Sequence, residues 1–400
     1  MKVVVITHNY IRRQGDLTAL YLHRLSSGLV LKGLDMVVVC PHAPGLLREE
    51  TIDGVRIKRF GYALSRIKSI VYTGNMHQEV AGSFLAKIVF LSFLRSFYRA
   101  SLKTCREEKA DLIWANWWIP PGLVAARIAR KLRLPLVISS HGTDISLLGK
   151  KGIIAALSRY VYQRTAKATV VSSYLRKRLL DNLDVIAADD VAVIPMPVGM
   201  EYFPKAEPPD NKVPVLLSVA RFTGQKKLGD IIQAAAQLAS ENMAFRIQMV
   251  GEGPLEKELK GLIAKKGLLD RVEFIPLVAQ QKLGELYRGA DAVILASEGE
   301  GFGLVLVEAG LTGRAVIGAR SGGITDIIED GNNGLLFEAG DIDGLAGCMR
   351  SVITDRALRI KLGDAGYKKA MTAFATPVLV DKIYDVFASL IGRRQGRVAP

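Results

Sequence analysis

The sequence predicts an α/β fold built from two doubly wound, Rossmann-like domains facing a cleft. Three observations carry this expectation. Short β-branched runs without polar alternation recur along the whole chain, as strands buried on both faces require. Helical periodicities separate many of them. The pattern then runs twice, on either side of PMPVGMEYFPKAEPPDNKVP (195–214), which holds six prolines and little periodicity. A length of 400 residues suits two to three domains, and 49% hydrophobic content gives them core. We place the domains at 1–197 and 212–376, with a C-terminal helix over about 377–395 packing back on the first.

Taken in order, strands are expected at VVVIT (3–7), MVVVC (36–40), PLVIS (135–139), TVV (169–171) and VAVIP (191–195). They resume at PVLLSVA (214–220), FRIQMV (245–250), VEFI (272–275), AVILA (292–296) and AVIGA (315–319). Helices are expected over 18–33, 229–240, 253–267 and 377–392, the last stopping at Gly392 before a frayed tail, RRQGRVAP. The opening MKVVVITHNY has one lysine and a short apolar run, which reads as a first strand and not as a secretory leader. No apolar run reaches the ~18–20 residues of a membrane span. Cys40, Cys105 and Cys348 lie far apart with no CxxC, against a disulfide framework or structural zinc and in keeping with a reducing compartment. The expectation is a cytoplasmic protein, either free or peripheral on the inner face of a membrane.

The net charge is +15, and it is confined to one half. Residues 1–200 hold 29 Lys and Arg against 14 Asp and Glu, whereas residues 201–400 hold 25 against 25. Such a half suits a nucleic acid, an anionic membrane or a phosphorylated substrate, or is simply a basic solvated surface. No nucleic-acid recognition module accompanies it, so no nucleic-acid partner is expected. One stretch breaks the alternation: FLAKIVFLSFLRSFYR (84–99) is apolar and aromatic, with Lys87, Arg95 and Arg99 on a narrow polar side and Arg56, Lys58, Arg59, Arg66 and Lys68 upstream. It reads either as a long core helix or as an interfacial helix meeting anionic headgroups.

The chemistry concentrates in AVILASEGEGFGLVLVEAGLTGRAVIGARSGGITDIIEDGNNGLLF (292–337). A strand ends near Ala296, a Glu- and Gly-rich turn follows, and a helix starts at about Gly303. Gly301 and Gly303 let the backbone turn tightly around Phe302 and approach a ligand. The amides of Gly303, Leu304 and Val305 then point out of a helix N-terminus, a ready anion site. Glu300 before that helix and Glu308 two turns into it can accept hydrogen bonds from a polyol attached to the anion. That combination describes a nucleotide-sugar site.

EGFGLVLVE (300–308) resembles the Glu-x7-Glu motif of the retaining GT-B glycosyltransferases of family 4 (group 1). The likeness extends to VARFTGQKKLGDIIQAA, VGEGPLEKEL, VEFIPLV, ADAVILAS and GRAVIGARSGGITDIIEDGNNGLLFEAGD, over essentially all of residues 213–375 and more loosely the first half. The resemblance implies a GT-B fold and a UDP- or GDP-sugar donor, with no metal or other cofactor. It implies transfer with retention to a hydroxyl acceptor, lipid-linked or otherwise anionic, in cell-envelope polysaccharide or glycolipid synthesis. It implies that Glu300 contacts the donor sugar and Glu308 the ribose, while Arg221 and Lys226 neutralise the diphosphate. Charge growing on a leaving group calls for such cations. Lys227 stands where the family often has Gly, which leaves open which lysine serves. In SSHGTD (139–144), His141 and Asp144 are expected at a strand end facing the cleft, and the resemblance gives His141 a contact to the donor sugar near the reacting carbon. Gly15, preceded by Arg12 and Arg13, resembles the family's glycine loop, or is an ordinary βα loop. Base recognition is expected from backbone around Phe274 to Leu277. Met196-Pro197 departs from the family's pattern and nothing is carried over there.

Trp114, Trp117 and Trp118 either line an acceptor groove or pack against the sheet edge. Asp341-Ile342-Asp343 is a DxD that metal-dependent glycosyltransferases use, but its place before a helical pattern suits an N-cap. Gly251-Glu252-Gly253 lacks the third glycine and distal acid of a dinucleotide fingerprint, and no GKS or GKT phosphate loop occurs. A nucleotide-sugar epimerase of the same architecture is the alternative activity.

Overall fold

The computed structural model of the chain describes residues 1–16, 18–62, 72 and 83–395, the last four as backbone only. Two compact units result: Met1–Val171, Leu175–Met196 and the chain from Leu379 in one, Ser172–Tyr174 and Pro197–Val378 in the other. Arg66, Lys68 and the tail beyond Gln395 lie outside the described residues.

The first unit runs β1 (Lys2–Ile6), α1 (Leu20–Leu31), β2 (Asp35–Pro41), β3 (Glu49–Ile52), β4 (Val55–Phe60), α2 (Phe84–Glu107), β5 (Leu112–Asn116) and α3 (Leu123–Leu132). It continues through β6 (Leu136–Ser140), α4 (Ile153–Tyr162), β7 (Lys167–Val170), α5 (Ser173–Asn182) and β8 (Val191–Val193). The strands order as β3-β4-β2-β1-β5-β6-β7-β8, all parallel except β3 against β4. β1 is central because Val3, Val4, Val5 and Ile6 have no exposed surface.

The second unit holds β9 (Val215–Val219), α6 (Leu228–Ser240), β10 (Arg246–Val250), α7 (Glu256–Lys265), β11 (Val272–Ile275), α8 (Gln280–Gly289), β12 (Ala292–Leu295) and α9 (Leu304–Leu311). β13 (Ala315–Ala319), the single turn α10 (Ile324–Ile327), β14 (Leu335–Phe337), α11 (Ile342–Thr354) and α12 (Arg356–Lys369) follow. Its parallel sheet orders as β11-β10-β9-β12-β13-β14. The last helix, α13 (Thr376–Gln395), sends Leu379, Val380, Ile383 and Phe387 into the core of the first unit, where Phe387 meets Trp114 with ring centroids 5.4 Å apart. It runs past Gly392, where the sequence suggested a stop.

Both sheets reverse their strand order once, between β1 and β5 in the first unit and between β9 and β12 in the second. At such a point the loops leaving the two central strands diverge and open a crevice at the strands' C-terminal ends. The loops after β1, β5, β9 and β12 are therefore the places to look for a ligand.

The antiparallel β3–β4 hairpin was not anticipated. Asp53 (φ 48°) and Gly54 (φ 77°) form the two-residue turn that DG sequences favour. EETI and VRIKRF are too polar to resemble buried strands, because β4 alternates Val55 and Ile57 inward with Arg56 and Lys58 outward.

Candidate functional site

Four loops meet around the switch point of the second unit. The loop after β9 is braced by the one after β10: Phe222 N–H donates to the Glu252 carbonyl at 2.9 Å, and Leu255 N–H to the Phe222 carbonyl at 3.1 Å. Gly251 and Gly253 permit this, since a Cβ would lie 2.0 Å from the Ala220 carbonyl oxygen and 2.5 Å from that of Phe222. The GEG stretch thus supports the Arg221 loop through its backbone. The loop after β12 is tied to the same loop by Glu298 N–H on the Gln225 carbonyl at 2.9 Å. It is backed by the turn after β13, where Gly323 N–H donates to the Glu300 carbonyl at 2.8 Å and Ser321 Oγ accepts from Gly299 N–H at 2.8 Å.

This packing brings Lys226 and Glu300 together, with Nζ 2.5 Å from Oε2 and both side chains mostly buried. Lys227, at φ 49°, occupies the left-handed conformation that glycine adopts most easily, and its ammonium turns instead to Glu298 at 3.0 Å. The geometry therefore separates the two lysines that the sequence left open. Arg221 is exposed, and no described residue pairs with its guanidinium. Gly303 starts α9 at φ 104°, and the amides of Leu304 and Val305 donate to no described residue. Phe302 is the exception in this loop. Its side chain is 2% exposed and packs edge-on against Phe374, so it anchors the loop in the core and offers a ligand backbone only.

Glu308, in the second turn of α9, accepts a hydrogen bond from the Tyr287 hydroxyl at 2.8 Å. Burial, and then the Glu308 charge, raise the Tyr287 hydroxyl well above its ordinary pKa, so Tyr287 stays a donor. Nothing in the sequence marked Tyr287. Leu277, in the stretch expected near a base, is 69% exposed. Asp341 caps α11 by accepting from Gly344 N–H at 2.9 Å, and Asp343 accepts from Gln237 at 2.7 Å, so this DxD is a helix start.

In the first unit, the loops after β1, β5 and β6 gather His8, Trp117 and His141. His8 and Trp117 rings lie 4.6 Å apart, Trp117 and His141 4.9 Å, and Tyr21 lies 4.8 Å from His141. His141 Nε2 is 3.1 Å from Asn116 Oδ1. His8 Nδ1, Asn9 Oδ1, Tyr21 Oη, Asn116 Nδ2 and His141 Nδ1 are buried and have no hydrogen-bond partner among the described residues. Four of these orphaned atoms, those of His8, Tyr21, Asn116 and His141, lie in one cluster, where they are costly and point to a ligand rich in hydrogen-bonding groups. Burial lowers the His8 pKa to about 4, and burial together with His8 lowers that of His141 to about 3. Both imidazoles are neutral at pH 7.

One expectation needs correction here. Asp144 is 3% exposed and folds back on the backbone, accepting from His141 N–H at 3.0 Å, Gly142 N–H at 3.2 Å and Trp118 N–H at 3.3 Å. It shapes the turn that presents His141. Trp114 donates to Ser139 Oγ at 2.7 Å within the core, and Trp118 donates to the Asp144 carbonyl at 2.7 Å. Of the three tryptophans, only Trp117, held at φ 68°, joins the cluster. Gly15 has φ 79° and open space where a Cβ would stand. Its loop is set by Asp16, which takes Arg12 Nε at 2.7 Å and Thr18 N–H at 3.1 Å. His8, Tyr21 and Asn116 escaped sequence reading, although His8 is the second residue after β1, where a switch-point ligand would be met.

Residues 18–202 match the family Glycosyltransferase Family 4, and residues 200–369 match Glycosyl transferases group 1. The chain belongs to the group 1, family 4 glycosyltransferases. It is 27% identical to the N-acetyl-alpha-D-glucosaminyl L-malate synthase of Bacillus anthracis over 72% of this chain and 77% of that one. It is 26% identical to the D-inositol 3-phosphate glycosyltransferase of Streptomyces avermitilis over 72% and 67%. Among solved structures, Anabaena HepE in complex with UDP and glucose superposes with a TM-score of 0.72 at 20% identity, covering 98% of this chain and 100% of that one. The apo lipopolysaccharide outer core galactosyltransferase WaaB does so with 0.69 at 18%, covering 97% and 99%. These likenesses establish the GT-B type of fold, with a Rossmann-like sheet in each unit.

Proposed function

We propose that this glycosyltransferase is a retaining enzyme that moves a hexose-type sugar from a UDP- or GDP-sugar to a hydroxyl acceptor. The observation that carries this reading is the Lys226–Glu300 pair, set against the open N-terminus of α9 with Glu308 held by Tyr287. Without a donor, each of the paired charges neutralises the other. A donor supplies both with better partners: its diphosphate takes Lys226, Arg221 and the amides of Leu304 and Val305, and a sugar hydroxyl donates to Glu300. Glu308 accepts from a ribose hydroxyl. Neutral His141 offers the sugar a hydrogen bond near the reacting carbon.

In the step itself, the bond from the anomeric carbon to the phosphate oxygen breaks as the acceptor oxygen bonds to the same face. The acceptor proton passes to the departing diphosphate, whose charge the two cations stabilise. No residue has to act as a covalent nucleophile. The acceptor is proposed to be anionic or lipid-linked. The basic first half favours this, and the two relatives above are named for L-malate and D-inositol 3-phosphate, both anions.

The test has two arms. Thermal unfolding with UDP, GDP and ADP ranks the base, because a ligand bound to the folded state raises the midpoint. Incubation with UDP- and GDP-hexoses, with and without candidate acceptors, then reads transfer, and proton NMR of the product reads the anomeric configuration. Acceptor-dependent transfer with the donor's configuration is expected. Inverted product excludes retention, and donor isomerisation without acceptor supports the epimerase.

A further inference from the structure

Helix α2 is apolar on two sides. Ala86, Val89, Phe93 and Phe97 are buried, with Phe97 stacked on Phe60 at 4.8 Å. The opposite side begins with a second apolar set: Phe84 is 79% exposed, Leu85 44%, Ile88 41% and Leu91 66%. These four account for nearly half of the large exposed apolar residues among the described ones, and all lie in the first eight positions of one helix. Scattered singly they would need no explanation, but together they do. Steps of three or four residues continue the same stripe from Phe84 through Ile88 and Leu91 to Arg95 and Arg99.

Where the apolar stripe ends, a cationic groove begins. It lies between α2 and α3, has a volume of about 430 Å³, and is lined by Tyr98, Leu123 and Val124 together with Arg95, Arg99 and Arg127. The Arg127 guanidinium stands over the Tyr98 ring, 5.3 Å from its centroid. No carboxylate among the described residues pairs with any of these three arginines. Lys103 and Arg106 extend the charge along α2, and Arg130 and Lys131 along α3, against the single acid Glu107. Arg56, Lys58 and Arg59, expected to add to this face, do not. Arg56 and Lys58 pair with Glu108 at 2.8 Å each, and Arg59 is buried against Glu50.

We propose that this face of α2 and α3 docks on an anionic phospholipid bilayer. Phe84, Leu85, Ile88 and Leu91 enter the boundary between headgroups and acyl chains, and Arg95, Arg99 and Arg127 bind lipid phosphates at the groove. The cations require an anionic partner. The four apolar side chains share the exposed side of the helix with the cations beyond them, and an exposed apolar set continuous with unpaired cations is what an interfacial helix presents to headgroups and acyl chains together. No helix among the described residues is long and apolar enough to cross a membrane, so the contact lies in the interface plane. Nothing in this proposal rests on the donor site.

The test is flotation of the full chain with phosphatidylcholine vesicles and with mixed phosphatidylcholine–phosphatidylglycerol vesicles. Binding to the mixed vesicles and not to the neutral ones is expected. Each arginine near the surface contributes about fivefold, so R95Q/R99Q/R127Q should lose about a hundredfold in partitioning. Leu91→Asp should also release the protein. Both variants change exposed side chains and should keep the melting temperature and the nucleoside-diphosphate shift of the wild type. Those readouts separate failure of docking from failure of the donor reading. Absence of binding to the mixed vesicles, equal binding to neutral vesicles, or undiminished binding by the triple variant overturns the proposal. So does light scattering that shows a dimer without lipid which Leu91→Asp dissociates, since a second copy would then cover the face.

Discussion

Gly322→Ala should cripple donor handling without unfolding the chain. Gly322 sits at φ +61°, and a Cβ built there would lie 2.1 Å from the Glu300 carbonyl oxygen, 2.7 Å from its nitrogen and 3.0 Å from its carbonyl carbon. All three are backbone atoms, so no side chain can rotate away. Restoring even a 3.0 Å contact requires the loop to retreat by about 0.9 Å. That loop holds Glu300 on Lys226 and leads directly into α9. Misplacing a binding group by about 1 Å can cost about a hundredfold in rate. The left-handed conformation itself costs a non-glycine residue about 1–2 kcal/mol, a tolerable loss for a unit of this size. Gly331→Ala is the control, since it has φ +73° but nothing within 4 Å of the added methyl. The assay is initial-rate sugar transfer with donor varied, alongside thermal shift by the preferred nucleoside diphosphate. If Gly322→Ala transfers sugar within about threefold of Gly331→Ala, Glu300 does not depend on this backstop and the reasoning fails.

Three further outcomes are expected. Lys226→Gln should lower kcat by about a hundredfold or more, as loss of a preorganised charge at a leaving group does, while Lys227→Gln, which breaks only an exposed pair with Glu298, should stay near wild type; similar losses in steady-state kinetics would refute the separation of the two lysines. Tyr287→Phe removes a hydrogen bond to a carboxylate and should raise the donor KM by about tenfold with little change in kcat, whereas an unchanged KM would mean that Glu308 needs no positioning. The neutral histidines give a pH signature. The folded pKa values, about 3 for His141 and about 4 for His8, lie below the ordinary 6.5, so the unfolded chain takes up protons first. Stability should be full above about pH 6.5 and fall as pH drops toward the folded values, and urea titrations of the His8→Gln/His141→Gln variant should show a shallower loss than wild type.

Where burial was continuous, the sequence was readable. β1, β2, β6, β9, β12 and β13 each carry an unbroken apolar run, β10 interrupts its own only at Gln248, and the observed strands fall within a residue or two of the expected ones. β3 and β4 were missed because a hairpin at the sheet edge alternates, and its signal was the Asp53-Gly54 turn. The site divides in the same way. Glu300, Glu308 and the start of α9 are one contiguous segment, so their spacing was visible. Tyr287, Asn116, Tyr21 and the Gly322 backstop reach the ligand loops from distant segments, and only the folded sheet brings them there. Asp144 was misjudged, and Trp118 left open, for a related reason: a polar or aromatic residue beside a site motif can serve the turn's own backbone, and sequence does not distinguish the two uses.

The concentration of positive charge in the first half illustrates the same limit. Lys2, Arg56 and Lys58 converge on Glu108, with Lys2 and Arg56 also reaching Asp35, and this neighbourhood holds the Glu108 carboxyl down to about 2, Arg56 contributing most. Arg59 donates to the carbonyls of Leu47, Ile11 and Arg12 and so fixes the loop that carries Gly15. These cations are consumed by the fold, whereas Arg95, Arg99 and Arg127 on α2 and α3 have no carboxylate partner among the described residues. Salt should tell the two groups apart. At about 1 M the screening length falls to about 3 Å, which weakens attraction between exposed arginines and a lipid surface far more than contacts already closed inside the protein. Vesicle flotation should therefore be lost in high salt while the melting temperature holds. If both fell together, the exposed arginines would be part of the fold's own support and not free for a membrane.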